Sequence, residues 1–253
     1  MVDLRCRDRV FPNVQAVLFD KDGTLADSLD FLRRLAQKRA RLVDAQVPGV
    51  GEPLLLALGV QAGRLDRVGL MAAGSRRDNE IAAAAYIAET GRSWSEALAI
   101  AQAAFTEADH SLQRRADTCP LFPGSRERLA HLAAANLKLG LLSADTTANV
   151  EAFATDHDLR PYLQLLQGTD PQGPAKPEPA CFLQACAALG VAPAATLMVG
   201  DTALDFDMAR QAGAAGVVGI AWGDGATPAQ PGADVVITDL RELVLDTAAL
   251  AEA

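Results

Sequence analysis

Short apolar runs that end in polar loops recur along this chain. Residues 14–19 have the sequence VQAVLF and stop at DKDGT, and similar runs occupy 137–142, 163–166 and 195–199. Such runs are typical of buried parallel strands whose carboxyl ends open into loops. A shorter run, DVVI at 234–237, predicts a last strand.

Helical patterns separate these runs. They lie at 125–135, 147–157, 178–189 and 205–212. Gly213 is placed to end the last of them, and Asp239 with Glu242 predicts the cap of a terminal helix. Strand and helix therefore alternate from residue 119 onward. This alternation predicts an α/β fold with a doubly wound, Rossmann-like parallel sheet that binds ligands at the carboxyl ends of its strands.

Residues 28–118 have a different pattern, with long runs rich in Ala, Leu and Arg and almost no β-branched segment. Ser93, three residues before Glu96, has the spacing of a helix capping box, and Gly91 follows an alanine-rich run. We therefore predict two domains. An α/β core is formed by 1–27 and 119–253, and a helical domain is inserted at 28–118.

Composition narrows the possible functions. The 253 residues are 50% hydrophobic and 22% charged, as in an ordinary globular protein. Acidic residues outnumber basic ones by 32 to 23, so we expect no nucleic-acid partner. No run approaches the roughly 18 apolar residues of a membrane span, and no apolar signal-peptide core follows the charged start. We expect a cytoplasmic protein with no membrane partner.

The four cysteines lack the spacing of a metal or redox site. Cys6, Cys119, Cys181 and Cys186 form no CxxC pair and no zinc-ligand pattern. We expect reduced thiols with a structural role.

Two carboxylates, Asp20 and Asp22, follow the first predicted strand in the segment DKDGTLADS. Acidic groups this close are costly at a strand end unless a cation or a substrate compensates their charge. Asp, Gly and Thr are also ordinary turn residues, so a polar turn is the structural alternative. These two positions alone do not decide between the two interpretations.

Later strands end in further residues that phosphate chemistry can use. Ser143 offers a hydroxyl, Lys176 offers a cation between prolines, and Asp201 and Asp205 offer two more carboxylates. Singly, the serine could be a helix cap, the lysine a solvated side chain and either aspartate a cap. Together they favour a site at the carboxyl edge of the sheet.

Four motifs occur in the order and spacing of a known family. They are DKDGT at 20–24, LLSAD at 141–145, Lys176 in AKPEP, and GDTALD at 200–205. With these motifs the chain resembles a haloacid dehalogenase superfamily hydrolase of the phosphoglycolate phosphatase-like branch, over nearly its whole length. The resemblance implies an Mg²⁺-dependent phosphatase that hydrolyses a small phosphate monoester through an aspartyl phosphate.

The resemblance also implies the role of each motif residue. Asp20 would be the nucleophile and Asp22 the general acid/base, while Ser143 and Lys176 would bind the phosphoryl group. The implied metal ligands are Asp20, Asp22, Asp201 and Asp205. Asp145 departs from the family, because relatives often carry a neutral residue there.

Family members insert a helical cap that closes over substrate where residues 28–118 lie in this chain. The candidate residues for meeting a substrate anion are Arg64, Arg67, Arg76 and Arg77. The sequence places Arg76 and Arg77 in a predicted loop after Gly74 and Ser75.

Three alternatives stay open at the level of sequence. A dehalogenase is disfavoured, because its relatives generally lack an acid at the position of Asp22. A phosphomutase similar to β-phosphoglucomutase shares all four motifs, and a bisphosphate requirement would reveal it. A nonenzymatic binding protein is the weakest alternative, since every catalytic residue type is present.

Overall fold

The computed structural model describes residues 2–112, 115–170, 173–223 and 230–246. The chain divides into two compact units. The first combines Met1–Asp27 with Pro120–Ala253, and the second is Ser28–Cys119.

The regular elements are numbered here in chain order. The strands are β1 (Val2–Cys6), β2 (Arg9–Val14), β3 (Ala16–Phe19), β4 (Val60–Gln61), β5 (Arg64–Leu65), β6 (Lys138–Leu142), β7 (Leu165–Gln167), β8 (Thr196–Gly200), β9 (Gly216–Ile220), β10 (Val235–Ile237) and β11 (Leu243–Leu245). The α-helices are α1 (Leu29–Gln46), α2 (Gly51–Ala57), α3 (Leu70–Ala73), α4 (Arg76–Glu89), α5 (Trp94–Ser111), α6 (Ser125–Ala134), α7 (Thr147–Asp156), α8 (Pro179–Leu189) and α9 (Ala203–Gln211).

The first unit is built on a six-stranded sheet in the order β10-β9-β8-β3-β6-β7. All of its neighbouring strands pair in parallel, and the predicted doubly wound α/β fold is confirmed. In the middle of the sheet, Phe19 of β3 lies opposite Leu141 of β6 and Val199 of β8. The loops that follow these three strands therefore emerge side by side.

Apolar side chains cover both faces of the central strand β3. All four of its residues are buried. Val17 and Phe19 belong to the apolar cluster on one face, and Ala16 and Leu18 belong to the cluster on the other. Because side chains alternate along a strand, an uninterrupted apolar run is what a strand buried on both faces requires. Full burial of a Leu, Val or Phe side chain is worth about 1.5–3 kcal/mol, so β3 anchors the residues that follow it.

The predicted helices of this unit are confirmed to within two residues at each end as α6 to α9. Gly213 follows α9 with a left-handed backbone, as expected of a residue that ends a helix. The first strand begins two residues later than predicted, because Val14 ends β2 instead.

The predicted terminal helix is wrong. Asp239 and Glu242 do form the predicted capping box, but it begins only a single 3-10 turn at Leu240–Glu242. The chain then continues as β11, which pairs antiparallel with β1, and β1 in turn pairs with β2. Leu243 is fully buried in this pairing, which favours a strand over a further helical turn. The part of the predicted helix at 247–253 lies outside the described residues.

The second unit is helical, with one short antiparallel hairpin of β4 and β5. Ser75 caps α4 and Ser93 caps α5, each accepting a hydrogen bond from the backbone N–H three residues on. The cap predicted at Ser93 is confirmed. The predicted loop at Arg76 and Arg77 is wrong, because the Ser75 cap starts α4 at Arg76.

Two further expectations concern membranes and thiols. Among the described residues, none of the helices combines the length and the apolar character that crossing a membrane requires. The four cysteines are free and buried, as predicted. Burial raises the pKa of Cys6 to about 12 and that of Cys181 to about 11, so these thiols are unreactive near neutral pH.

Candidate active site

Three carboxylates meet at the carboxyl edge of the sheet. Asp20 directly follows β3, Asp201 directly follows β8, and Asp205 lies in the first turn of α9. One oxygen from each lies within 4.8 Å of the others. Parallel strands place their carboxyl ends at the same edge of a sheet. The topology therefore brings together Asp20 and Asp201, which are 181 residues apart in the sequence.

Lys176 joins this cluster from the segment before α8. Its Nζ donates to Oδ1 of Asp20 and to Oδ1 of Asp205, at 2.6 Å in each case. Burial lowers the pKa of Lys176, but the two carboxylates raise it by more, so its net pKa is above the ordinary value. Lys176 is therefore a permanent cation in the site.

The three carboxylates carry more negative charge than Lys176 can balance. Burial raises the pKa of Asp20 to about 7, Lys176 opposes this rise, and Asp205 adds to it. Burial and the nearby Asp20 also raise the pKa of Asp201. Oδ1 of Asp201 is buried and has no hydrogen-bond partner within the described part of the chain. Clustered oxygen donors with surplus negative charge fit a hard divalent cation such as Mg²⁺.

Gly23 lets the loop after β3 approach this cluster closely. Its φ of +84° lies in the left-handed region, and a Cβ there would lie 2.1 Å from Oδ2 of Asp201. Both the conformation and the space require glycine.

Ser143 follows β6, the strand beside β3, and its side chain is buried. Its Oγ accepts from the backbone N–H of Asp145 at 3.2 Å, and its carbonyl oxygen accepts from the Thr169 hydroxyl. The hydroxyl is thus held at the edge of the sheet where the loops after β3 and β8 also emerge.

Asp22 is not part of the three-carboxylate cluster formed by the described residues. Its Oδ2 instead lies 2.5 Å from Nζ of Lys21. The structure therefore groups three of the four predicted metal ligands and leaves the Asp22 carboxylate in a separate ion pair.

Comparison with known proteins identifies the family. Residues 14–213 match the family described as haloacid dehalogenase-like hydrolase. The chain belongs to this family. The match includes all four motifs, and the resemblance drawn from the sequence is confirmed.

Curated relatives of this haloacid dehalogenase-like hydrolase are phosphatases by name. A phosphoglycolate phosphatase of Chromobacterium violaceum is 28% identical over 232 residues, which cover 91% of this chain and 95% of the relative. A phosphoglycolate phosphatase of Synechococcus elongatus is 30% identical over 217 residues, which cover 83% of this chain and 85% of the relative. The expected enzyme class, a phosphoric monoester hydrolase, is confirmed.

A solved structure has the same fold. It is described as a predicted phosphoglycolate phosphatase from Haemophilus somnus 129pt, and it superimposes with a TM-score of 0.62. Its sequence is 21% identical, and the match covers 82% of this hydrolase and 85% of the other chain.

Two residues that support the loop after β3 in this hydrolase were not predicted from the sequence. Trp222, just past β9, donates from its indole Nε1 to the carbonyl oxygen of Thr24 at 3.0 Å. Phe122 stacks on Trp222 with ring centroids 4.3 Å apart. No local signal marks either residue, because their neighbours along the chain carry no motif.

The predicted substrate-specificity arginines differ in their surroundings within the helical unit. Arg76 forms ion pairs with Glu80 and Asp109. Arg77, Arg64 and Arg67 are exposed. The charge of Arg76 is thus already matched inside its own unit, whereas Arg77 points its charge toward solvent.

Proposed function

We propose that this hydrolase cleaves a small phosphate monoester of the phosphoglycolate type, with Asp20 as the nucleophile. The observation that carries the proposal is the position of Asp20, whose carboxylate is bound by Lys176 and clustered with Asp201 and Asp205. This carboxylate lies beside a fixed cation at the carboxyl edge of a parallel sheet. Such a group is suited to attack a phosphoryl group.

The reaction divides into two displacements. Oδ of Asp20 attacks phosphorus, the bond between phosphorus and the ester oxygen breaks, and the alcohol leaves with a proton from Asp22. Asp22 then takes a proton from water, whose oxygen attacks phosphorus and releases phosphate from Asp20. Lys176 and Ser143 bind the phosphoryl oxygens through both steps. Two easier displacements replace one difficult one, and the acid/base contributes a typical factor of about 10²–10⁴.

Mg²⁺ is the metal that we propose for the cluster of Asp20, Asp201 and Asp205. When bound, it neutralises the carboxylates and the incoming phosphate, whose like charges would otherwise repel. The surplus negative charge of the cluster and the buried, unpartnered Oδ1 of Asp201 support this assignment. The side chain of Asp22 is left out of the ligand set, since its carboxylate is paired with Lys21.

The helical unit Ser28–Cys119 is proposed to act as the cap that selects the leaving group. The chain inserts this compact unit between the first and second motifs. Within it, Arg77 is the better candidate for a substrate carboxylate, because Arg76 is held by Glu80 and Asp109. A basic residue suits the second anionic group of a phosphoglycolate-like substrate.

Phosphate release from a panel of phosphate monoesters tests the proposal. We expect wild-type protein with Mg²⁺ to release phosphate from 2-phosphoglycolate and related small esters, and Asp20→Asn to release none. A protein that interconverts sugar phosphates only when a bisphosphate is present, without releasing phosphate, would instead be the phosphomutase. Binding of esters without turnover of any would contradict both enzymatic functions.

A further inference from the structure

Lys21 is a fully buried cation between the two aspartates of the first motif. Its side chain has 0% exposure, whereas lysine ammonium groups normally reach water. Burial of an unpaired ammonium is unfavourable, so the partners of Lys21 determine whether its burial is tolerated. Nζ lies 2.5 Å from Oδ2 of Asp22 and 3.4 Å from Oδ2 of Asp145. The ammonium therefore bridges a carboxylate of the first motif and a carboxylate of the second.

The fold brings these residues together from distant parts of the chain. β3 and β6 are parallel neighbours, so the loop that carries Lys21 and the loop that carries Asp145 emerge side by side. The ring of Phe153, on α7, lies 5.5 Å from Nζ and adds a favourable contact with the cation. The site for the ammonium is thus built from both loops and a helix.

Asp145 is itself held in one orientation. Its Oδ1 accepts from the backbone N–H of Thr146 at 2.9 Å and from Nδ2 of Asn149 at 2.7 Å. These bonds turn Oδ2 toward Lys21. The acid at 145, which departs from the neutral residue common in the family, has a charge partner in this chain.

We propose that Lys21 and Asp145 act as positioning residues for Asp22, the acid/base of the proposed function on which this inference rests. The ammonium binds one oxygen of the Asp22 carboxyl group, so that the other oxygen, which carries the proton in the first step, is the one that meets the leaving oxygen. Asp145 supplies the second negative charge that keeps the ammonium in place. Without Lys21, two neighbouring carboxylates would repel each other and Asp22 would turn away.

The leaving group distinguishes this role from a purely structural one. Departure of an alkoxide needs a proton from a correctly placed acid, whereas p-nitrophenolate leaves readily without one. If Asp22 loses its position, the hydrolysis of alkyl esters should therefore slow more than that of p-nitrophenyl phosphate. A general loss of folded protein would slow the hydrolysis of both esters equally.

The test uses Lys21→Met, Asp145→Asn and the double variant, with 2-phosphoglycolate and p-nitrophenyl phosphate as substrates. Asp145→Asn removes the charge and keeps an oxygen for Thr146. We expect Lys21→Met to lower kcat for the alkyl ester by about 10²-fold and for p-nitrophenyl phosphate by less than about tenfold, with KM nearly unchanged, a loss within the range of an acid/base. The double variant should have a kcat for the alkyl ester about tenfold higher than that of Lys21→Met. Asp145→Asn removes the charge that repels Asp22 when Lys21 is absent, and the effects of mutations at contacting residues are not additive.

Lys138→Met, on β6, is the control, because the Lys138 ammonium donates to the carbonyl oxygen of Leu189 at the end of α8 and forms no ion pair with Asp22 or Asp145 in the part of the chain that the structure describes. It should leave the ratio of the two kcat values unchanged. Equal losses for both esters in folded Lys21→Met, or losses in the double variant that equal the product of the single ones, would overturn the inference. If circular dichroism shows that Lys21→Met does not fold, the test uses Asp145→Asn alone. An equal loss of kcat for both esters in this variant, or no loss for either, would overturn the inference.

Failure of the proposed function has a different signature. In that case the wild-type protein releases no phosphate from any ester, or Asp22→Asn slows both esters equally. The positioning role alone is contradicted by a different result. In that result the wild type is active and Asp22→Asn slows the alkyl ester more than p-nitrophenyl phosphate, but Lys21→Met slows both esters equally.

Discussion

Gly23 and Asp201 approach each other so closely that no side chain fits between them. A Cβ on Gly23 would lie 2.1 Å from Oδ2 and 2.7 Å from Cγ of Asp201. The loop of the first motif therefore rests against a proposed metal ligand of the fourth motif. This contact makes the glycine of DKDGT a requirement of the site as well as of the turn.

Gly23→Ala should abolish most phosphatase activity while the protein still folds. The new methyl group forces the Asp201 carboxylate or the loop to move, and misplacement of about 1 Å can cost about 10²-fold in rate. Steady-state kinetics with increasing Mg²⁺ would measure the loss and any weaker metal dependence.

Gly213→Ala is the control for the backbone contribution. Gly213 has a similar φ of +77°, and a Cβ there meets nothing within 4 Å. Both variants bear the left-handed strain of about 1–2 kcal/mol, but only Gly23→Ala should lose activity. Equal activity losses in the two variants would show that strain, and not the contact with Asp201, is responsible.

Mg²⁺ should stabilise the protein more at pH 8 than at pH 5. Burial raises the pKa of Asp20 from 3.8 to about 7, so between these values the folded state holds a proton that the unfolded state has lost. Stability without metal should therefore fall as pH rises from about 4 to about 7. The metal binds the deprotonated carboxylates and should offset this loss above pH 7.

Thermal unfolding with and without Mg²⁺ at the two pH values measures this effect. Asp201→Asn is the matched variant, because it removes one charge and one proposed ligand from the cluster. It should reduce the shift in Tm caused by Mg²⁺ at pH 8. A Tm shift that is the same at both pH values in the wild type would contradict a metal site at these carboxylates.

Asp22→Asn and Asp20→Asn should fail at different steps. Asp20→Asn removes the attacking oxygen, so no phosphoenzyme should form from any ester. Asp22→Asn should still be phosphorylated by p-nitrophenyl phosphate and then hydrolyse slowly, because the second step lacks its base. Rapid-quench labelling would follow both steps, and label on a residue other than Asp20 would exclude it as the nucleophile.

Arg76→Ala and Arg77→Ala should separate stability from specificity. Arg76 lies in ion pairs with Glu80 and Asp109, so its loss leaves these carboxylates without that partner and should lower Tm by a few degrees. Arg77 is exposed, so its loss should leave Tm unchanged and alter the ranking of substrates that carry a second anion. An unchanged ranking in Arg77→Ala would remove it from the candidates for substrate contact.

The central sheet could be predicted because a strand buried on both faces must be apolar throughout. The run at 14–19 and its polar loop identify β3 and Asp20 without any tertiary information. The sheet of β1, β2 and β11 could not be predicted in this way, because β1 and β2 mix charged and apolar residues and β11 is only three residues long. Their stability comes from pairing between the two ends of the chain, which no local pattern records.

The same limit applies to the site. Asp20 and Asp201 could be predicted as site residues because each follows an apolar run, and a parallel sheet brings the ends of its strands together. The pairing of Lys21 with Asp145 depends on the distance between two loops, and the sequence separates these residues by more than a hundred positions. Burial of a lysine in a polar motif is likewise a property of the fold.

The chain has two tryptophans, and each compact unit contains one of them. Trp222 is stacked on Phe122 in the first unit, whereas Trp94 is 51% exposed at the start of α5 in the second. Each unit therefore carries its own intrinsic fluorophore. With Trp94→Phe the remaining emission reports on the first unit, and with Trp222→Phe it reports on the second unit. Denaturant titrations of the two variants would reveal whether the units unfold together or in separate transitions.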